Sequence, residues 1–164
     1  MKLKRLFSVI LTVCLLSASL IACGGKSSTS ASKDFDFTYK GETITIHSEA
    51  KEILKVAGTP KATKKTASCA YDGYDRTYEY NDFTILTYSK SKDGEEYING
   101  INLTTPNIAT KEDIKIGSSQ KQVLKAYGNE KGKFGVYTFT KGKSKLVIEI
   151  DDKDKVSSIK YMEK

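Results

Sequence analysis

The sequence predicts an α+β fold: two repeats of a short helix plus an antiparallel meander, forming one sheet with both helices packed on one face. Three observations predict it. The first is an internal repeat. Ile44-Thr-Ile46-His-Ser48-Glu-Ala-Lys51-Glu-Ile53-Leu54-Lys55-Val-Ala-Gly58 returns as Ile114-Lys-Ile116-Gly-Ser118-Ser-Gln-Lys121-Gln-Val123-Leu124-Lys125-Ala-Tyr-Gly128, at a constant offset of 70 residues. The second is helical spacing of apolar residues inside each copy. The third is the run of short aromatic and β-branched stretches, divided by turn residues, that follows each copy.

Each element has its own reasons. Phe35, Phe37 and Tyr39 alternate as an opening strand that Lys40-Gly41 ends. In the first copy Ala50, Ile53, Leu54 and Ala57 make one apolar helical face, and in the second Val123, Leu124 and Tyr127 do so, with Ile116 ahead as a staple. Ser48 and Ser118 or Ser119 are N-cap candidates, and Ser119 with Gln122 fits a capping box. Gly58 and Gly128 stand where a glycine ends a helix, and Pro60 blocks continuation of the first. Strands are expected at 76–80, 83–88 and 97–103, with a turn at Lys92-Asp93-Gly94-Glu95, and again at 136–140, 146–150 and 156–161. Ile98-Asn-Gly-Ile101 and Val156-Ser-Ser-Ile159 break alternation in the same way, which predicts a β-bulge in each.

The chain has 164 residues and opens with Lys2, Lys4 and Arg5, an apolar run from Leu6 to Leu20, then Ile21-Ala22-Cys23. Basic, apolar and small residues in that order form an export signal, too short in its apolar part for a comfortable membrane span. Three segments are expected: a signal peptide at 1–22, Cys23 with a flexible Gly/Ser-rich tether at 23–33, and one domain at 34–164 of two repeats, about 34–105 and 106–164. Loss of Lys2, Lys4 and Arg5 lowers the net charge from +7 to +4. The remaining charges are interspersed, with only Lys61-Ala62-Thr63-Lys64-Lys65 as a basic cluster, so no nucleic-acid partner is expected. Of the three cysteines, Cys14 leaves with the signal and Cys23 is the first residue after it, at the head of the tether, so Cys69 has no intramolecular partner within the domain and is expected to be buried.

Leu20-Ile21-Ala22-Cys23 resembles the lipobox of bacterial lipoproteins. The resemblance implies lipidation of Cys23 by a diacylglyceryl group and anchorage to the cell membrane on its extracytoplasmic face, because two acyl chains hold durably where one does not. The tandem pattern is similar to the β-lactamase-inhibitor-protein-like and BamE (SmpA)-like lipoprotein repeats. That similarity rests on Ile116-Gly117-Ser118 leading into a helix closed by Tyr127-Gly128 and followed by antiparallel strands. Ser68 to Tyr80 also resembles a segment of small Gram-positive lipoproteins of no assigned function. The repeat resemblance implies a protein-binding role and carries no contact residues over, since fold alone does not fix function.

The chemistry-bearing residues point the same way. His47 is the sole histidine and lies just before the first helix, without ligand-spaced Cys, Asp or Glu around it. Cys69 has no identifiable base unless His47 approaches it. Asp72/Asp75 and Asp151/Asp152/Asp154 fit turns better than a calcium loop. Phosphate-loop, dinucleotide and Gly-x-Ser-x-Gly motifs are absent, so neither catalysis, a metal nor a cofactor is expected. The interaction candidates are aromatic: Tyr71, Tyr74, Tyr78 and Tyr80, since tyrosine joins a large apolar ring to a hydroxyl. Tyr78 and Tyr80 share parity and so one side of a strand. The expected function is a non-catalytic, membrane-anchored protein-interaction module with an envelope protein as partner. The alternative is a binder of a cell-wall polymer or glycan, with tyrosines as stacking platforms.

Overall fold

The computed structural model describes residues 32–128 and 132–164. The signal peptide, Cys23 and the tether as far as residue 31 lie outside the described residues. The chain forms β1 (Asp36–Tyr39), β2 (Glu42–Thr45), α1 (Lys51–Ala57), β3 (Ala62–Ala67), β4 (Tyr74–Glu79), β5 (Phe83–Ser89), β6 (Glu96–Leu103), α2 (Gln120–Tyr127), β7 (Val136–Lys141), β8 (Ser144–Ile150) and β9 (Val156–Glu163). Seven strands make one antiparallel sheet in the order β3-β4-β5-β6-β9-β8-β7, and β1 and β2 make a separate hairpin.

This corrects the expected α+β arrangement of two repeats with a helical layer on one face. The fold is mostly β. Two strands, β2 and β3, add to those expected, and the strands divide between two sheets. The helices have only seven and eight residues, with Ile53 and Val123 as their only fully buried members. Cover over the sheet comes instead from a mixed layer. Phe37, Ile44 and Ile46 of the first hairpin region, Ala50, Ile53, Ile114 and Val123 join Ile85, Ile101, Ile148 and Ile159 of the sheet in one core.

Local rules explain how the strands are steered. Lys40 and Gly41 both have positive φ, 49° and 87°, as a two-residue hairpin turn between β1 and β2 requires. β5 alternates strictly, with Phe83, Ile85, Thr87 and Ser89 buried. The two anticipated bulges are present. Register shifts at Leu86/Thr87 and at Glu149/Ile150 leave Asn99 and Ser157 without a partner in those ladders. Just ahead of each helix the chain pairs along a bulged strand. His47 N–H donates to the Ile98 carbonyl (2.8 Å) and Ile98 N–H to that of Ser48 (2.9 Å); Gly117 and Ser118 do the same with Val156 (2.8 Å each). Both turns need a left-handed residue, and His47 (φ 68°) supplies in the first what Gly117 (φ 87°) supplies in the second.

The helix ends differ. α2 has the expected capping box: Gln122 N–H donates to Ser119 Oγ (3.3 Å), and Gln122 Oε1 accepts from Ser119 N–H (2.8 Å). α1 starts on Ala50 with no side-chain cap, and Ser48 instead donates to the Thr45 carbonyl (2.7 Å) inside the preceding turn. Gly58 and Gly128 close the helices with positive φ, 80° and 106°. Ser119→Ala should therefore cost about 1 kcal/mol in urea unfolding, whereas Ser48→Ala should leave the start of α1 intact by amide exchange.

Candidate interaction surface

Cross-strand partners share a face of a sheet. The inner face runs through Tyr78, Ile85, Ile101 and Tyr161 into the core, and the outer face through Thr77, Leu86, Gly100 and Met162. The four tyrosines singled out above divide between these faces, and the structure brings only some of them together.

Tyr71 lies on the outer face in the loop between β3 and β4, and is 44% exposed. Its ring stacks on Tyr88 of β5 (centroids 5.2 Å, interplanar 18°), and Tyr88 meets Tyr97 of β6 at 5.7 Å. His47 stands edge-on to Tyr88, its Nδ1 3.2 Å from the Tyr88 hydroxyl and its Nε2 3.1 Å from Glu163 Oε1. Lys90 Nζ lies 5.8 Å from the Tyr97 ring centre. The result is a column of three aromatic rings on the side of the sheet that the described residues leave open, edged by Lys90 and Glu163. Tyr88 was legible as part of the tyrosine-rich stretch. Tyr97 was not, because the bulge at Asn99 changes which β6 residues share its face.

Tyr74, Tyr78 and Tyr80 turn to the other face. Tyr74 lies under cations, with Lys65 Nζ 3.7 Å and Arg76 Cζ 5.3 Å from its ring centre. Tyr78 donates to Glu96 (2.8 and 3.0 Å), as does Thr87 (2.7 Å), and Arg76 pairs with the same carboxylate at 3.2 Å. Tyr80 stacks on Phe83 (5.0 Å, 26°) at the edge of the core. Glu96 also lines a groove of about 290 Å3 together with Glu49, Lys51, Leu54, Gly94 and Glu95. With three side-chain donors already on it, this carboxylate serves the fold. Neither Arg76 nor Glu96 stands out in the sequence, since their pairing depends on strand register.

Burial raises the pKa of several tyrosines above the usual value of 10. Desolvation is the largest cause at Tyr78, Tyr80, Tyr88, Tyr127 and Tyr161, reinforced at Tyr78 by the hydrogen bond to Glu96. The native state therefore holds these protons more tightly than the unfolded chain. Their contribution is complete below pH 10 and is lost as the pH rises beyond it. The urea midpoint should fall steadily above about pH 10. Tyr161→Phe, which removes a buried hydroxyl, should flatten that decline.

Cys69, expected to be buried, is exposed. The preference of free thiols for interiors yields here to its place in the open loop before Gly73. His47 is engaged by Tyr88 and Glu163, not by a thiol. Asp151 Oδ1 accepts from the backbone N–H groups of Lys153 (2.9 Å) and Lys155 (2.8 Å), the work of a turn-forming aspartate. Among the described residues no group of three His, Cys, Asp or Glu side chains is placed to hold a metal ion.

No known family's sequence profile matches the chain, and no curated protein is similar to it. The solved structures with a distant likeness to the chain include the following two. One is a cysteine-rich secretory protein from Staphylococcus aureus, 10% identical, with a TM-score of 0.47, covering 73% of this chain and 44% of that one. The other is an extracellular protein containing a SCP domain from Bacillus anthracis, 11% identical, with a TM-score of 0.42, covering 77% of this chain and 50% of that one. The chain thus spans half or less of the length of these proteins. At this distance the likeness carries neither their activity nor their partners over.

Proposed function

We propose that this chain is an extracytoplasmic lipoprotein, anchored by diacylglyceryl on Cys23, whose folded part is a non-catalytic module for binding an envelope protein. The Tyr71–Tyr88–Tyr97 column carries the reading: it sets large apolar rings with hydroxyls on a sheet face that the described residues leave open, and such residues dominate binding surfaces. The export signal and lipobox-like sequence support the location. A lipid anchor confines the module to the membrane plane and raises its effective concentration for a partner there.

Two measurements test it. Mass spectrometry of the mature N-terminus should find a diacylglyceryl-modified Cys23, and an unmodified Cys23 would remove the anchor from the account. Affinity capture from membranes should retain a discrete envelope protein, lost in Cys23→Ala. Lys90 beside Tyr97 supports a second reading, an anionic wall polymer or glycan on the same rings. Sedimentation with purified wall material, strongly weakened by salt, would favour that one.

A further inference from the structure

We infer that the free edge of β3 is a docking site for an extended acidic segment of a partner protein, which would add to the sheet as an eighth strand. The inference rests on the protein-interaction reading and names its recognition chemistry.

Four observations carry it. Among the described residues β3 is the terminal strand of the seven-stranded sheet and pairs only with β4, so alternate backbone N–H and C=O groups point from its other edge with no described strand on them and can bond a further strand. All six of its residues are exposed, so none of the described chain covers it on either face. Its charge has one sign: Lys61, Lys64 and Lys65 fall in a stretch from Thr59 to Tyr71 that holds no carboxylate. Finally, Ala62-Thr63-Lys64-Lys65-Thr66-Ala67 reads the same in both directions. Antiparallel pairing of two copies about the strand centre would set Lys64 opposite Lys65 twice, and like charges directly opposite are unfavourable. The edge thus rejects a second copy of itself and favours a strand with acidic residues at its two central positions.

The opposite edge of the sheet does not share these properties. β7 buries Tyr137 and Phe139 and has one lysine, Lys141, at its end. On β3 the existing contacts of the lysines are exchangeable. Lys64 pairs with Glu79 at 3.2 Å on an exposed surface, and Lys65 lies over the Tyr74 ring. An incoming carboxylate can engage Lys65 while Tyr74 stays beneath it.

The test uses the full processed protein, purified in neutral detergent, and fluorescein-labelled peptides. The probe is Thr-Val-Glu-Glu-Val-Thr. One control has lysines in place of its glutamates, and the other keeps both glutamates but has proline between them. The acidic strand should bind, slow amide exchange across residues 62–67, and lose roughly tenfold in affinity in the Lys64→Gln/Lys65→Gln protein. In the Lys64→Glu/Lys65→Glu protein the preference should reverse toward the basic peptide. Equal binding of the proline control would mean that only charge is read, and would overturn strand addition. Acidic-peptide binding that leaves exchange at β3 unchanged would also overturn it. A protein captured through Tyr71, with no peptide binding at β3, would overturn this inference and leave the wider reading standing. The expected peptide behaviour with no protein captured through Tyr71 would support strand addition at β3 and overturn the Tyr71 column as the binding surface.

Discussion

Gly73→Ala should destabilise the fold by roughly 3 kcal/mol, with a matching drop in the urea midpoint. A Cβ at this position would lie 2.0 Å from the Ser89 carbonyl oxygen and 2.6 Å from its carbon. Those atoms belong to the backbone of β5, which is hydrogen-bonded to β4 on one side and β6 on the other and cannot retreat. The neighbouring contacts would open with it: Ser68 N–H to the Gly73 carbonyl (3.1 Å) and Tyr74 N–H to Ser89 Oγ (3.0 Å). Since this loop sets Tyr71 on Tyr88, the aromatic column should come apart in the same variant. Gly94→Ala provides the contrast. Its nearest obstacle is the rotatable Ser91 hydroxyl at 2.6 Å, with backbone no closer than 3.4 Å, so the loss should stay below about 1 kcal/mol.

Glu96→Ala should cost about 3 kcal/mol. The carboxylate gathers Arg76, Tyr78 and Thr87 on the inner side of the sheet, where the Arg76 and Glu96 side chains are 14% and 22% exposed. Removing it leaves a largely buried guanidinium and the buried Thr87 hydroxyl without that partner, and unmade bonds at buried donors cost more than made bonds contribute. Glu96→Gln keeps an acceptor for one hydroxyl while losing the charge that pairs with Arg76, and should fall between the variant and the parent. Urea unfolding of the three proteins, followed by tyrosine fluorescence, measures the series. If Glu96→Ala matched the parent, Arg76, Tyr78 and Thr87 would not depend on this carboxylate.

Features governed by local chemistry were readable in the sequence. The capping box at Ser119 and Gln122 follows from residue identity at fixed spacing, and the helix-ending glycines follow from their freedom at positive φ. The bulges at Asn99 and Ser157 showed as a two-residue interruption between isoleucine or valine positions that must both face the core. β3 was not readable, because Ala62 to Ala67 has no apolar alternation; all six residues are exposed, and among the described residues β4 is the strand that holds it. The balance of the layers was missed for a related reason. The repeat ties Ile44 and Ile46 to the helix they precede, whereas β2 folds back on β1 and helps to supply the cover expected from a helical layer. The split among Tyr71, Tyr74, Tyr78 and Tyr80 has a similar origin. Parity orders the residues of β4, but Tyr71 sits in a loop whose path is set by the contact of Gly73 with Ser89.

The most direct test of the interaction reading is photo-cross-linking in intact cells from a reactive group introduced at Tyr71. The account predicts a discrete adduct with one envelope protein, diminished when Tyr88→Ala removes the ring on which residue 71 rests. Adducts with wall polymer alone, or no protein adduct from this position while the protein is anchored and folded, would contradict it.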